Sequence, residues 1–220
     1  MSKPIAIIPA RGNSKRLPRK NILPWKGTPL VGHCINNALS TKLFSEVIVS
    51  SEDQEILEIS ESFGARPLKR EANLSKDRAT VAEVCLDVIS NYKNIHRFCC
   101  IYPTAVKLGS ETLRKSSETF QTAKNCDFLM GVSLYNYPPQ QALIQNESGD
   151  LILLNPEVEN VQSQFYKQCV VSNGTLYWAK TRAFIEQKNF YGKKLHPFII
   201  NEEQVSDINT PEDYDILINS

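Results

Sequence analysis

Ile5-Ala6-Ile7-Ile8-Pro9-Ala10-Arg11-Gly12-Asn13-Ser14-Lys15-Arg16-Leu17-Pro18-Arg19-Lys20-Asn21 runs from an apolar stretch straight into a cationic loop. Ile5 to Ile8 is short, uninterrupted by polar side chains and bounded by a proline, as expected of a strand buried on both faces. Comparable runs recur at Glu46 to Ser50, Phe98 to Tyr102 and Phe128 to Ser133. Between them, residues 30–41, 53–63, 80–91 and 110–122 carry helical periodicity. Alternating strands and helices predict an α/β fold, a doubly wound, mainly parallel sheet covered on both faces. In that architecture ligands bind beyond the carboxyl ends of the strands, so the loops directly after each strand are where chemistry is expected.

End signals refine the outline. Ser51, with Gln54 three residues on, is the expected N-cap of the second helix, which stops at Gly64. Thr210 caps a last helix, with Pro211 at its first position and Glu212 and Asp213 where the helix dipole favours acids. After Ser133 the pattern changes. From Tyr137 to Tyr177 the chain is rich in Gln, Asn, Pro and aromatics without helical period, and reads as an insertion of short strands and loops at about 137–172. Regular structure resumes with a strand from Thr175 to Ala179 and a short helix from Arg182 to Gln187. No linker divides the 220 residues, so a single domain is expected.

Charge is segregated along the chain. The 25 Lys and Arg nearly balance the 24 Asp and Glu, but residues 1–45 hold eight bases and no acid, while residues 201–220 hold six acids and no base. The loop after Ile8 contains five of those bases. Gly12 permits close backbone approach, and successive N–H groups there can form an anion nest suited to a polyphosphate. The loop is neither a GxxxxGK[ST] phosphate loop nor a GxGxxG dinucleotide fingerprint. From charge alone a solvated basic surface or a weak nucleic-acid patch fits as well as a polyphosphate site; its place after a first buried strand favours a nucleotide.

No apolar run approaches the roughly 18 residues needed to span a bilayer, and Ile5 to Ala10 is too short for a signal-peptide core. A cytoplasmic protein with no membrane or nucleic-acid partner is expected. Cys34, Cys85, Cys99, Cys100, Cys126 and Cys169 form no CxxC pair and suit buried reduced thiols. His33, His96 and His196 share no ligand spacing, and Trp25 and Trp178 suit packing.

Ile8-Pro9-Ala10-Arg11-Gly12-Asn13-Ser14-Lys15 followed by Pro18-Arg19-Lys20-Asn21-Ile22 resembles the N-terminal signature of the CMP-sialic acid synthetase (acylneuraminate cytidylyltransferase) family. Further matches follow in order: Gly27-Thr28-Pro29-Leu30, Val47-Ile48-Val49-Ser50-Ser51, Phe63-Gly64-Ala65, the Arg70 to Asp77 segment, Tyr102-Pro103-Thr104, Asn173-Gly174 and Asp207-Ile208-Asn209-Thr210-Pro211-Glu212-Asp213. The resemblance covers essentially the whole chain. It implies a Rossmann-like nucleotide-diphospho-sugar transferase fold whose insertion serves homodimerisation. It also implies a reaction in which CTP and a nonulosonic acid give a CMP-sugar and diphosphate, the anomeric hydroxyl attacking the α-phosphate in line.

Carried over residue by residue, the resemblance places the triphosphate at Ala10, Arg11, Gly12, Ser14, Lys15 and Lys20, a nucleotide contact at Asn21, and the cytidine half at Arg70, Asp77 and Thr80. It places the sugar at Tyr102, Pro103, Thr104, Gln140, Gln164, Asn173 and Gly174. Asp207 and Asn209 would hold Mg²⁺ (or Mn²⁺), and with Arg11 and Lys20 they form the implied catalytic set. The family usually reads Asp-Ile-Asp where this chain has Asn209, which keeps a carbonyl ligand but loses charge and basicity. Cys99-Cys100-Ile101-Tyr102-Pro103-Thr104-Ala105, Pro138-Pro139-Gln140-Gln141-Ala142 and Ser163-Gln164 are similar to the pseudaminic acid branch; sialic and legionaminic synthetases show Gln-Pro-Thr-Ser-Pro after the fourth strand. Val106-Lys107, Gln162 and Ser172-Asn173-Gly174 depart from the pseudaminic pattern, so CMP-N-acetylneuraminate and CMP-legionaminate synthesis stay open. Asn209 and Gln162 also leave open a catalytically weakened nucleotide-binding protein.

Overall fold

The computed structural model describes residues 2–71, 74 and 79–220. Strand β1 (Ile5–Pro9) leads through a hairpin of β2 (Pro24–Trp25) and β3 (Thr28–Pro29) into helix α1 (Leu30–Ser40). Then come β4 (Val47–Ser51), α2 (Gln54–Ser62), β5 (Arg66–Lys69), α3 (Val81–Ser90), β6 (Arg97–Ile101), α4 (Ser110–Thr122) and β7 (Phe128–Leu134). The insertion carries β8 (Leu143–Gln145) and β9 (Leu151–Leu153). The chain ends with β10 (Val170–Lys180), α5 (Thr181–Gln187), β11 (Leu195–Ile199) and α6 (Pro211–Ile218).

Seven strands form one sheet in the order β11-β7-β10-β6-β1-β4-β5. β1 pairs parallel with both β4 and β6, β4 with β5, and β11 with β7; β10 alone runs antiparallel, between β6 and β7. The chain moves outward from β1 to β4 and β5, then returns to the other side of β1 at β6. β1 is therefore the switch point, and the crevice there is where an open α/β sheet binds its ligand.

The apolar run of β1 reads out on both faces. Ala6 and Ile8 pack with Val47, Val49 and Trp178 beneath α1, α2 and α4, while Ile5 and Ile7 pack with Ile48, Phe98 and Cys100 beneath α3 and α5. Trp178 is fully buried between Phe44 and Phe120, each ring centroid 5.7 Å away, and its indole N–H donates to Ser116 Oγ at 2.9 Å. Cys34, Cys85, Cys99, Cys100 and Cys126 are buried free thiols and Cys169 is half-buried.

Two expectations are revised, and two features are ones that the sequence does not announce. Asp53, not Ser51, caps α2: its carboxylate accepts from Ile56 N at 3.1 Å, while Ser51 Oγ accepts from Asp53 N at 3.1 Å. β10 begins at Val170, well before Thr175, because Val170 to Ser172 pair with the end of β7 across a register shift. β5 carries Pro67 and two cations, and β11 carries Pro197; both are sheet edges, where period and propensity are weakest. Finally, the short β2–β3 hairpin has no apolar run to announce it. Thr210 and Asp213 do form the expected capping box of α6, and among the described residues no helix is long and apolar enough to cross a membrane.

Trp178→Ala should lower unfolding free energy by roughly 3–5 kcal/mol, since it removes a large ring from both aromatic neighbours and opens a cavity. Chemical denaturation followed by circular dichroism measures this; a loss below about 1 kcal/mol would mean the two ring contacts do not hold the α4 side together.

Candidate active site

A cleft of about 290 Å³ opens at the carboxyl ends of β1, β5 and β6. Arg11, Lys20 and Asn21 reach it from the basic loop, Arg70 from the end of β5, Tyr102, Pro103 and Thr104 from the end of β6, and Asp207 and Asn209 from the segment before α6. Residues separated by nearly the whole chain thus meet because each lies in a loop that follows a strand end or, for 207 and 209, lies across those ends.

The loop is held in shape by its own polar groups. Asn21 is buried, and its Nδ2 donates to the Arg11 carbonyl at 2.7 Å, while its Oδ1 is buried without a partner. Lys20 Nζ donates to the Ile208 carbonyl at 2.5 Å, joining the basic loop to the acidic segment. Burial lowers the pKa of Lys20 below the ordinary lysine value; Asp207 opposes that shift, and Arg11 and Arg16 add to it. Arg16 Nη2 donates to Asn209 Oδ1 at 3.2 Å. Arg19 turns away from the cleft, with a left-handed backbone at φ 57°, and pairs with Asp53 and Glu55 at the start of α2.

Gly12 is needed for a contact other than the one expected. A Cβ there would fall 2.6 Å from Asp53 Cβ, so the glycine lets the loop pass close over the N-terminus of α2. Its N–H donates to Glu52 Oε1 at 2.8 Å, which turns that group toward protein rather than toward an anion nest. Glu52 Oε2 accepts from Arg70 Nε at 3.0 Å and Nη2 at 2.7 Å. The Arg70 side chain is only 3% exposed, yet it lines the cleft. Burial alone would raise the Glu52 pKa; hydrogen bonds from Arg70, from its own backbone and from Gly12 outweigh it and hold the carboxyl below its usual value.

On the opposite wall, Tyr102 packs against Tyr177 with ring centroids 5.6 Å apart, and burial pushes its hydroxyl pKa up. Tyr102 N donates to the Thr175 carbonyl at 2.9 Å, and Ser206 Oγ donates to the Thr104 carbonyl at 2.6 Å, so β10 and the 206–209 segment are fixed to the same turn. Along that segment Ser206 and Ile208 are buried, whereas Asp207 is exposed and Asn209 half-buried. Asp207 and Asn209 therefore project to one side, with Asn209 Nδ2 donating to Asp207 Oδ1 at 2.7 Å. Asp213, instead of facing a ligand, accepts from Asn209 N and Thr210 N, each at 2.8 Å. Among the described residues no group of three or more His, Cys, Asp and Glu side chains is arranged to hold a metal ion. What Asp207 and Asn209 offer is one carboxylate and one amide oxygen, hard donors that suit Mg²⁺ sharing its remaining sites with phosphate and water.

Other expected residues stand apart from the cleft. Ala10 and Ser14 are buried beneath the loop and Lys15 is exposed on it. Thr80 is spent on the capping box of α3 with Glu83. Gln140 Nε2 donates to the Lys167 carbonyl and Cys169 Sγ, and Gln164 Nε2 donates to Gln162, all within the insertion. Asn173 is bonded to Ser133 and Thr175, and Gly174, at φ 63°, lies behind Asp207: a Cβ there would be 3.9 Å from Asp207 Oδ1. Asp77 lies outside the described residues. The sequence reading passed over Arg19, Glu52 and Asp53, although the last two occupy the loop directly after β4, where the strand-end rule says to look.

The protein-family model for cytidylyltransferases matches residues 5–130. A pseudaminic acid cytidylyltransferase of Campylobacter jejuni subsp. jejuni serotype O:2 is 33% identical over 216 residues, covering 96% of this chain and 93% of that protein. A CMP-N,N'-diacetyllegionaminic acid synthase of Legionella pneumophila subsp. pneumophila is 29% identical, covering 96% and 92%. Among solved structures, CMP:2-keto-3-deoxy-manno-octonic acid synthetase complexed with CTP superposes with a TM-score of 0.73 over 99% of this chain and 98% of that one; at 14% identity it shows the shared fold. With the match to the family model spanning more than half of its length and a relative this close along nearly all of it, the chain belongs to the cytidylyltransferase family.

Proposed function

We propose that this cytidylyltransferase activates a nonulosonic acid, converting CTP and pseudaminic acid to CMP-pseudaminic acid and diphosphate. One observation carries the reading: Arg11, Lys20, Asn21 and Arg70 converge on the same cleft as Asp207 and Asn209, a cationic wall facing, among the described residues, one carboxylate. Cations suit the triphosphate, and the carboxylate suits a hydroxyl nucleophile. The names of the relatives support the acid-sugar class, and two of them, 33% and 32% identical to this chain, are pseudaminic acid cytidylyltransferases, which favours pseudaminic acid.

In the proposed reaction the anomeric oxygen bonds to the α-phosphorus as the bond to the β-phosphate bridging oxygen breaks, and diphosphate carries the electron pair away. Arg11 and Lys20 stabilise the charge growing on that leaving group. Asp207 accepts the hydroxyl proton; Asn209, having no basicity, keeps Asp207 in place. Mg²⁺ held by Asp207 and the Asn209 carbonyl oxygen supplies further charge neutralisation when bound. The walls of the cleft orient the two substrates, which is where much of the acceleration of such a transfer originates.

The insertion is proposed as the homodimer surface. Leu143, Ile144, Leu151, Ile152, Leu154 and Phe165 are all exposed on it, an apolar concentration that suits burial against a second copy.

Diphosphate release from CTP with Mg²⁺, assayed against pseudaminic, legionaminic and N-acetylneuraminic acids, tests the reading: turnover should be greatest with pseudaminic acid, and Asp207→Asn should lower kcat by about 10² or more. Turnover greatest with another acid of the panel would reassign the sugar, and no turnover with any acid despite CTP binding would leave a nucleotide-binding protein. Lys20→Ala should raise the Kd for CTP by about 10–100-fold, the worth of one charge-assisted hydrogen bond, with the fold intact. Because the pKa of Lys20 is lowered, its proton leaves at a pH below that of an ordinary lysine, so CTP affinity should begin to fall there on alkaline titration. Calorimetric titration at several pH values would show that fall absent in Lys20→Arg. For the insertion, light scattering should find a dimer in the parent protein and a monomer in Leu151→Asp with Phe165→Asp; an unchanged mass would place the dimer surface elsewhere.

A further inference from the structure

Three parallel strand ends are tied together by one side chain that does not itself line the cleft. Glu52 is the first residue after β4 and sits between the loop that follows β1 and the residue that follows β5. Ser51 stands opposite Lys69, so the register brings Arg70 beside Glu52 on one side, and Gly12 reaches it on the other from the loop that follows β1. One oxygen of the carboxylate holds the Gly12 N–H at 2.8 Å, and the other holds Arg70 at 2.7 and 3.0 Å.

We propose that Glu52 is a positioning residue for the nucleotide: it sets the backbone of the phosphate loop through Gly12 and the guanidinium of Arg70 through its second oxygen, so that the two parts of the cationic wall are placed together. The inference rests on the reading of this cleft as the CTP site. Several features make Glu52 more than a surface ion-pair partner. Arg70 is almost completely buried, and a buried guanidinium without its carboxylate must either find another partner or swing toward solvent, out of the cleft. Gly12 has no side chain to fix its own peptide, so the direction of its N–H is set by what accepts from it. Next to Gly12 in the chain is Arg11, whose side chain lines the cleft, so the Gly12 peptide orients Arg11 as well. A single carboxylate therefore bears on the placement of two cations that follow different strands. Coupling of this kind is what non-additivity in a double-mutant cycle measures.

The experiment is calorimetric binding of CTP with Mg²⁺ to the full chain and to Glu52→Ala, Glu52→Gln, Arg70→Ala and the Glu52→Ala/Arg70→Ala double variant, with each fold checked by circular dichroism. In the parent protein CTP should bind; if it does not, the cytidylyltransferase reading of the cleft falls and Glu52 is not what failed. Given binding, Glu52→Ala should weaken CTP by about tenfold or more, and the same substitution should have a markedly smaller effect once Arg70 is already alanine. Glu52→Gln keeps an acceptor for Gly12 and should recover part of the loss, which also serves if Glu52→Ala does not fold. In steady state the change should appear as a raised KM for CTP with the KM for the acid sugar unmoved. Parent-like CTP affinity in a folded Glu52 variant, or losses that simply add with that of Arg70→Ala, would overturn the proposal.

Discussion

The pairing of β1 with a parallel neighbour on each side is the constraint from which the site follows. A strand hydrogen-bonded on both edges and covered on both faces leaves no room for polar side chains, which is why Ile5 to Ile8 are uniformly apolar and fully buried. Parallel pairing also requires a crossover between consecutive strands, so β1, β4, β5 and β6 all release their chains at the same edge. Arg11, Glu52, Arg70 and Tyr102 each lie within the first two residues after a strand. Their convergence needs no long-range steering beyond the sheet register. A one-residue slip between β1 and β4 would displace Gly12 from Glu52 and turn buried side chains outward.

Electrostatics is organised on top of that register. The acid-free first 45 residues and the base-free last 20 meet where Lys20 reaches the Ile208 carbonyl and Arg16 reaches Asn209. The charges do not all serve the same purpose. Arg19 is taken by Asp53 and Glu55 and secures the loop against α2, whereas Arg11 and Lys20 face the cleft. At the acidic end Asp207 faces the cleft, while Asp213 satisfies N–H groups at the start of α6. A net charge near zero therefore says nothing about this site, because opposed ends were brought together by folding and largely engaged with protein partners before any ligand arrives.

How much of this is legible in the chain depends on the kind of signal. Buried parallel strands and amphipathic helices announce themselves, so the α/β class, the basic loop and the Thr210 cap all read directly from residues. Edge strands do not: β5 and β11 each carry a proline and present one face to a single neighbour, so neither composition nor alternation marks them. Within the site, the sequence pointed to Arg11, Lys20 and Asp207, and the fold brings these three charged residues to one cleft. Gly12 was legible as a close approach but not as to what approaches, since only the packing of the loop on α2 reveals Asp53. Thr80 illustrates the reverse case: a capping box with Glu83 uses the hydroxyl that motif matching assigned to a ligand. Glu52 escaped because an acid within a cationic site looks like a surface residue until its two oxygens are seen to serve different strands.

Asn209 ties these themes together. A second carboxylate at this position, against Asp207, would place two like charges within hydrogen-bond distance and require a proton or a cation between them. The amide removes that requirement, because its Nδ2 donates to Asp207 while its Oδ1 accepts from Arg16. Both polar atoms of the Asn209 amide are thus engaged across the rim. Asp207 is held by a neutral donor, and at the adjacent Lys20 desolvation prevails over the opposing carboxylates of Asp207 and Asp213, so its pKa stays low. The substitution that looks like a loss in the motif is thus balanced by Arg16 in the fold, and the basic loop and the acidic segment reach the same compact arrangement through a hydrogen-bonded chain in place of a carboxylate pair.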